Sequence, residues 1–405
     1  MKTVIIGTGP AGLMAAIMSA RNGNETIIID SQAKLGKKIY ATGNGRCNFT
    51  NRDMKSPDLF RGDAALAKKI VNKFNNNDLI AFFNELGVIE RDINGYIYPN
   101  SEQASSIAET LVSELKRLKV CTVLNQKVID IKVSKHGFDV FTSVDMFSAD
   151  KVVIAVGGQA APVHGSDGNL NKLIKKLGHS FVKQVPALVN LEHSDKKLDK
   201  LAGVRTRCGI CLVVNGQVVS SEKGEIIFNK GNISGIPVMQ VSRYAAYALN
   251  EKKDVSLKIN LLNELSMDEL SERLRAAIYG PMSKNKSVFE VLTGTLNSKL
   301  LEYALKEAGI GPDKAAYALK PQQFNNLLQV LTELTVRIKA TGNFEKAQVT
   351  AGGVNTKELD QNLQSKLVKN LYFAGEIVDV DGTCGGYNLQ WAFSSGYVVG
   401  SKSEK

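Results

Sequence analysis

Residues 2–30 read KTVIIGTGPAGLMAAIMSARNGNETIIID, and this stretch decides the fold. KTVII at 2–6 is a short apolar run of the kind buried as a strand, and TIIID at 26–30 is a second. Between them, residues 10–22 have the Ala- and Met-rich texture of a helix. Strand, Gly-rich turn, helix and strand make a parallel βαβ unit. The turn, GTGPAG from Gly7 to Gly12, has the GxGxxG form. Gly7 permits the tight turn, Gly9 lets backbone approach a pyrophosphate, and Gly12 allows close helix–strand packing. Pro10 and Ala11 open a helix whose free N–H groups and partial positive charge suit phosphate. Asp30 ends the second strand, at the spacing expected of a carboxylate that accepts ribose hydroxyls. An acidic residue there suits an unphosphorylated ribose, hence FAD or NAD rather than NADP.

Two further motifs continue this reading. LGKKIYATGNGRCNFTN at 35–51 is loop-like, with Gly36, Gly43 and Gly45 among Lys37, Lys38 and Arg46. Those bases could neutralise a pyrophosphate, Arg in bidentate fashion, or form only a solvated face. AGEIVDVDGTCGGYNLQWAF at 374–393 reads as a strand ending at Gly375-Glu376, then Gly385-Gly386 opening the last helix. Glu376 could accept from ribityl hydroxyls. A second helix N-terminus, begun by Gly386, would stabilise negative charge on a reduced flavin ring. A plain strand–turn–helix closure is the competing reading.

The rest of the chain falls into two textures. Residues 63–87 and 101–119 read as helices, 120–133 and 137–144 as strands, and KVVIAV at 151–156 as a buried strand ended by Gly157 and Gly158. Residues 204–229 read as short strands with turns at Asn215-Gly216 and Lys223-Gly224. Residues 264–336 are mostly helical in pattern, opened by a Ser266/Glu269 capping box. Strand texture returns from about 347, and a helix is expected from Tyr387 to about Gly400. The expected domains are an α/β domain split in sequence, 1–187 with 347–405, and an inserted domain at 188–346.

At 405 residues, with 43% hydrophobic and 22% charged residues, the chain is of ordinary globular composition and long enough for two or three domains. The net charge of +11 admits an anionic cofactor, a nucleic acid or mere solubility. Low aromatic content and the lack of a dense basic tract make nucleic acid a minority reading. Five cysteines, an odd and sparse set, argue against a disulfide framework and for a reducing cytoplasm. Gly7, Gly9, Pro10 and Gly12 interrupt the apolar start, which argues against a signal peptide. No run of about 18 apolar residues suggests a membrane span.

GTGPAG, GKKIYATGNGRCN, TAGGV at 350–354 and GGYNLQWAFSSG at 385–396 together resemble the YhiN-like FAD-binding flavoproteins. That family includes BaiN-type bile-acid reductases and aminoacetone oxidases. The resemblance covers nearly the whole chain. It implies an α/β fold with a Rossmann-like FAD-binding domain split in sequence, and an inserted β-barrel plus helical substrate domain. It implies FAD, with contacts from Ala11, Asp30, Lys37, Lys38, Arg46, Val128, Glu376 and Leu389. Gly7, Gly9, Pro10, Gly12, Asn48, Gly157, Gly375, Gly386 and Asn388 complete the expected cofactor-binding set, and with no cue for covalent attachment the FAD is expected to be held non-covalently. Val128 would give a backbone contact to adenine. Two departures occur. GEIIFNKGNISGIP at 224–237 has Asn229-Lys230 where a Thr-His pair is expected, and Ile236 splits the Gly-Pro. Cys384 stands just before the Gly pair.

Cys208 and Cys211 form a C-x-x-C, but no second pair and no His spacing completes a metal site, and no metal is expected. In a strand the two would face opposite sides, so packing is the preferred role. Cys47 and Cys384 are assigned to packing as well. Tyr40, Asn48 and Tyr387 are polar groups that could serve the flavin face or only structural hydrogen bonds. The catalytic residue is left open. With one complete GxGxxG, NAD(P)H is expected only as a transient donor. The favoured activity is an NAD(P)H-driven reduction of a conjugated C=C in a small steroid- or bile-acid-like molecule. An aminoacetone-type amine oxidase and an FAD-dependent RNA-modifying protein follow in that order.

Overall fold

The computed structural model describes residues 1–56 and 58–401. Two compact units emerge, Met1–Pro186 with Ala347–Lys405, and Ala187–Lys346. The first is built on a five-stranded parallel sheet. Its strands are β1 (Lys2–Ile6), β2 (Glu25–Ile29), β3 (Cys121–Val123), β4 (Lys151–Ile154) and β5 (Leu371–Phe373), ordered β5-β4-β1-β2-β3. The central strand β1 is almost wholly buried, as its apolar run required. Helix α1 (Pro10–Arg21) crosses from β1 to β2. The C-terminal helix, Tyr387–Gly400, lies against α1 so closely that a Cβ on Gly396 would sit 2.3 Å from the Ala11 carbonyl oxygen.

The stretch 63–87 is two helices, Ala64–Lys73 and Asn76–Glu85, not one. Asn75 accepts from the Asn77 and Asp78 N–H groups while the Asp78 carboxylate takes the Asn75 N–H, a reciprocal cap that starts the second helix afresh. Residues 120–133 likewise divide, β3 joining the parallel sheet and Val128–Ser134 an antiparallel one.

Glu114, on the helix Ala104–Arg117, ties that helix to α1. Its side chain is 3% exposed and takes Arg117 at 2.6 and 2.8 Å and Arg21 at 2.9 and 2.8 Å. The Arg117 bond first, then Arg21, hold its carboxyl down to about 2. A carboxyl depressed in the fold adds stability that is present above its ordinary value of 4.5 and lost as pH falls towards 2. Glu114→Gln is expected to cost about 1–3 kcal/mol at pH 7. Urea unfolding at neutral and acid pH should show a smaller pH dependence in the variant; equal slopes would contradict the pairing.

The second unit holds the expected barrel and helices. Six strands close it in the order Leu191–His193, Asn232–Ser234, Gln217–Asn229, Arg205–Val214, Val255–Asn260 and Leu334–Thr341. Asn215 and Gly216 both have positive φ, the two-residue hairpin turn their sequence specified. Lys223-Gly224 makes no turn. Gly224, at φ +147°, is paired with Cys208 inside one long strand that runs through it unbroken. Cys208 is buried and Cys211 is partly exposed, as their register requires. Ser266 and Glu269 cap the helix Met267–Tyr279 reciprocally. Among the described residues no helix is long and apolar enough to cross a membrane.

Candidate cofactor site

The glycines of the first turn divide by what surrounds them. A Cβ on Gly7, whose φ is +104°, would lie 2.4 Å from the Ala155 carbonyl oxygen, and one on Gly12 would lie 1.9 Å from that of Gly7. Both positions are closed by backbone. At Gly9 a Cβ would meet nothing within 4 Å. Space is thus kept beside the start of α1, where Gly9 brings no capping side chain, Pro10 holds the first position and no acidic residue lies in the first turn. An uncapped helix start with open space before it is an anion cradle.

Asp30 follows β2 and faces this turn. Its Oδ2 accepts the Thr8 N–H at 2.8 Å and hydroxyl at 2.6 Å, and its Oδ1 accepts the Gln32 N–H at 2.8 Å. A carboxylate has about four acceptor positions, so one is left for a ribose hydroxyl. The Gln126 N–H donates to the Asp30 carbonyl at 3.1 Å, which brings the start of the Val128 strand to the same end of the sheet. Val128 itself is buried.

The loop 35–51 runs from one helix start to the other. The Gly36 N–H donates to the Thr8 carbonyl at 3.0 Å, and Asn51 Nδ2 donates to the Gly385 carbonyl at 2.9 Å. Asn48 Nδ2 donates to the carbonyls of Thr50 and Ile97, a fixing role, while its Oδ1 crowds the Gly386 position. Lys37 donates to Gln32 Oε1 at 2.8 Å. Lys38 Nζ donates to the Ala160 carbonyl at 3.2 Å and to Glu376 Oε2 at 3.0 Å. Arg46 stands apart from these lysines. It is half exposed, pairs with Glu102 at 3.2 Å and lies over the Tyr98 ring. Burial pushes the Cys47 thiol up to about 12, which fits packing and not nucleophilic work.

The third motif closes the ring. Gly375, at φ +76°, donates its N–H to Ser395 Oγ at 2.9 Å, and its carbonyl takes the Trp391 indole N–H at 3.0 Å. Its Cα faces Ala11 of α1. Glu376 Oε1 accepts the Thr350 N–H at 2.8 Å, and Thr350 Oγ1 accepts the Gln159 and Ala160 N–H groups. Gly158 is pressed against both Thr350 and Glu376, and Gly157 against Ser166. Asn388 spends its amide on the Gly382 N–H and carbonyl, and Leu389 packs on the core. Gly386, at φ +94°, starts the C-terminal helix without a capping side chain. The three motifs therefore form one hydrogen-bonded set around two helix starts that carry no capping side chain, the one at Gly9 open and the one at Gly386 crowded by Thr50 and Asn48. Thr8, Gln32 and Thr350 belong to it and were not singled out by sequence; Thr8 and Thr350 act through partners remote in the chain, so no local spacing marks them, while Gln32 bonds to Asp30 and Lys37 close by.

This set fits FAD. The Gly9 cradle and the α1 start suit a pyrophosphate, Asp30 a ribose, Glu376 and Lys38 the ribityl and phosphate region, and the Gly386 start an anionic ring edge. The profile of the HI0933-like protein Rossmann domain matches residues 1–402. A 3-dehydro-bile acid delta(4,6)-reductase of Clostridium scindens is 37% identical over 401 residues, 98% of this chain and 97% of that protein. A ribosomal RNA dihydrouridine synthase of Escherichia coli is 29% identical over 400 residues, 97% of this chain and 96% of that protein. Among solved structures, a flavocytochrome c3 fumarate reductase in an open conformation matches 98% of this chain and 77% of its own at TM-score 0.48 and 16% identity.

Proposed function

Since this chain belongs to the HI0933-like Rossmann family and is an FAD-dependent oxidoreductase, we propose that it reduces a C=C bond conjugated to a carbonyl in a steroid- or bile-acid-like small molecule. The observation that carries this reading is the 37% identity, along both chains, to the bile-acid reductase. FAD, once reduced, supplies hydride at ring N5. The chain supplies the rest. Asp30 and Thr8 fix the ribose end, the α1 start and Lys38 balance phosphate charge, and Glu376 orients the ribityl chain. The helix start at Gly386 stabilises negative charge on the ring edge. We assign the electron donor to NAD(P)H, docking transiently because one GxGxxG is present, and substrate recognition to the inserted unit. Cytoplasmic residence belongs to the same proposal.

A second reading has its own support, the 29% identity to the dihydrouridine synthase together with the +11 charge. A uracil ring also holds a C=C conjugated to a carbonyl, so the chemistry is shared and only the substrate differs. The test is anaerobic. The yellow protein should bleach with NADH or NADPH and regain its colour on adding a 3-oxo-4,6-diene bile acid, yielding the saturated product. Return of colour only with an unmodified rRNA transcript would transfer the function to RNA. Peroxide from aminoacetone in air, without either reduction, would overturn both.

A further inference from the structure

We propose that the Tyr387 hydroxyl is the acid that protonates the α carbon of the double bond, a role that rests on the reductase reading above. Tyr387 is the first residue of the C-terminal helix. Helical side chains lean towards the N-terminus, so its ring lies back beside the Gly pair. The ring atom Cε2 is 3.1 Å from where a Cβ on Gly385 would be, and Tyr96 Cε1 is 3.3 Å from the same point. Phe60 meets the ring edge-on at 6.1 Å. The strand carrying Tyr96 is held to this place by the pairing of Asn51 with Tyr96 and by the Asn51 bond to the Gly385 carbonyl.

Tyr387 is only 5% exposed, yet its hydroxyl makes no hydrogen bond among the described residues. The ring is buried but its hydroxyl oxygen is not sealed from solvent, so it is free to meet a ligand bound beside the helix start at Gly386. Burial, then the charges of Asp53 and Tyr96, push the phenol up to about 12. It is therefore protonated at neutral pH and has a proton to give. The phenolate left behind sits in the first turn of a 14-residue helix, where the dipole favours negative charge. Tyr96, less buried and raised by burial first and by Cys384 and Tyr98 next, lies beside it.

The step balances. A hydride from the reduced cofactor forms the C–H bond at the β carbon as the π bond breaks. The Tyr387 proton forms the C–H bond at the α carbon. The substrate gains two electrons and the cofactor loses them, to be restored by a dihydronicotinamide. The phenolate recovers its proton from water.

Tyr387→Phe keeps the ring and removes the donor. FAD affinity and bleaching by NAD(P)H should match wild type, while reoxidation by a 3-oxo-4,6-diene bile acid should slow by about 100-fold or more. An independent readout uses the oxidised enzyme in D2O with a saturated 3-oxo bile acid. Wild type should place deuterium on the carbon beside the ketone, and the variant should not. Reoxidation by the variant within about threefold of wild type, or retained exchange, would overturn the assignment and leave the reductase reading standing. A variant that cannot hold FAD would also overturn it, making Tyr387 a cofactor-binding residue. If wild type neither regains colour nor exchanges, the reductase reading falls and this role falls with it.

Discussion

Gly12→Ala is expected to purify without FAD. A Cβ there would lie 1.9 Å from the Gly7 carbonyl oxygen, and a Cβ on Gly7 would likewise lie 2.4 Å from the Ala155 carbonyl oxygen. Both neighbours are backbone, so no side chain can swing aside. The turn must open by more than an ångström, taking Thr8 away from Asp30 and the α1 start away from its cradle. Strain from overfilling a packed site runs to about 3 kcal/mol or more, which is about 150-fold or more in affinity. Gly9→Ala separates folding from binding. Nothing within 4 Å opposes a Cβ at Gly9, so the apoprotein should melt as wild type does while FAD affinity falls. Flavin absorbance after purification, FAD titration and thermal shift measure both. Wild-type flavin content in Gly12→Ala, or wild-type affinity in Gly9→Ala, would contradict the cradle.

Glu376→Gln is expected to weaken FAD binding by about 10- to 150-fold, the worth of about 1.5–3 kcal/mol for a hydrogen bond to a charged group. Both oxygens of Glu376 are already engaged, Oε1 by the Thr350 N–H and Oε2 by Lys38. Glutamine keeps an acceptor for Thr350 and loses the anion that holds Lys38. Saturating FAD should restore most of the turnover, because neither group is assigned to the hydride. Arg46→Ala should be the milder change. Arg46 is half exposed and paired with Glu102, so it must leave that partner to reach a phosphate. Equal FAD affinity in Glu376→Gln and wild type would remove Glu376 from the cofactor.

The βαβ start was legible because three signals agree locally: an apolar strand, a glycine turn and an apolar helix. The Ser266 and Glu269 cap was legible for the same reason, since its partners lie three residues apart. Asn75 and Asp78 carried the same spacing, but the apolar periodicity running through 63–87 masked the break. Lys223-Gly224 shows the opposite error. A glycine with positive φ can close a hairpin or lie inside a strand, and only the partner strand, here Cys208 opposite Gly224, decides. Long-range pairs were beyond reach. Phe60–Gly62 pairs with Val380–Gly382, and Thr350 meets Glu376 and Ala160, through contacts that no local composition encodes. The glycine positions of the site were therefore readable, and the side chains that lock them together were not.

The sheet of the first unit borrows β5 from the far end of the chain, and α1 rests its backbone against Gly396 and Gly400. On the ribosome, the first 186 residues emerge with the β4 edge bare and one face of α1 uncovered. The unit Ala187–Lys346, which has its own core, is finished before they are. The roughly 200 residues from Ala187 to Gly386 take about 10–40 s to synthesise. Throughout that interval a strand edge is open to pairing with other nascent chains. Chaperone demand therefore falls on the amino-terminal segment, and flavin loading waits until the last helix has left the exit tunnel.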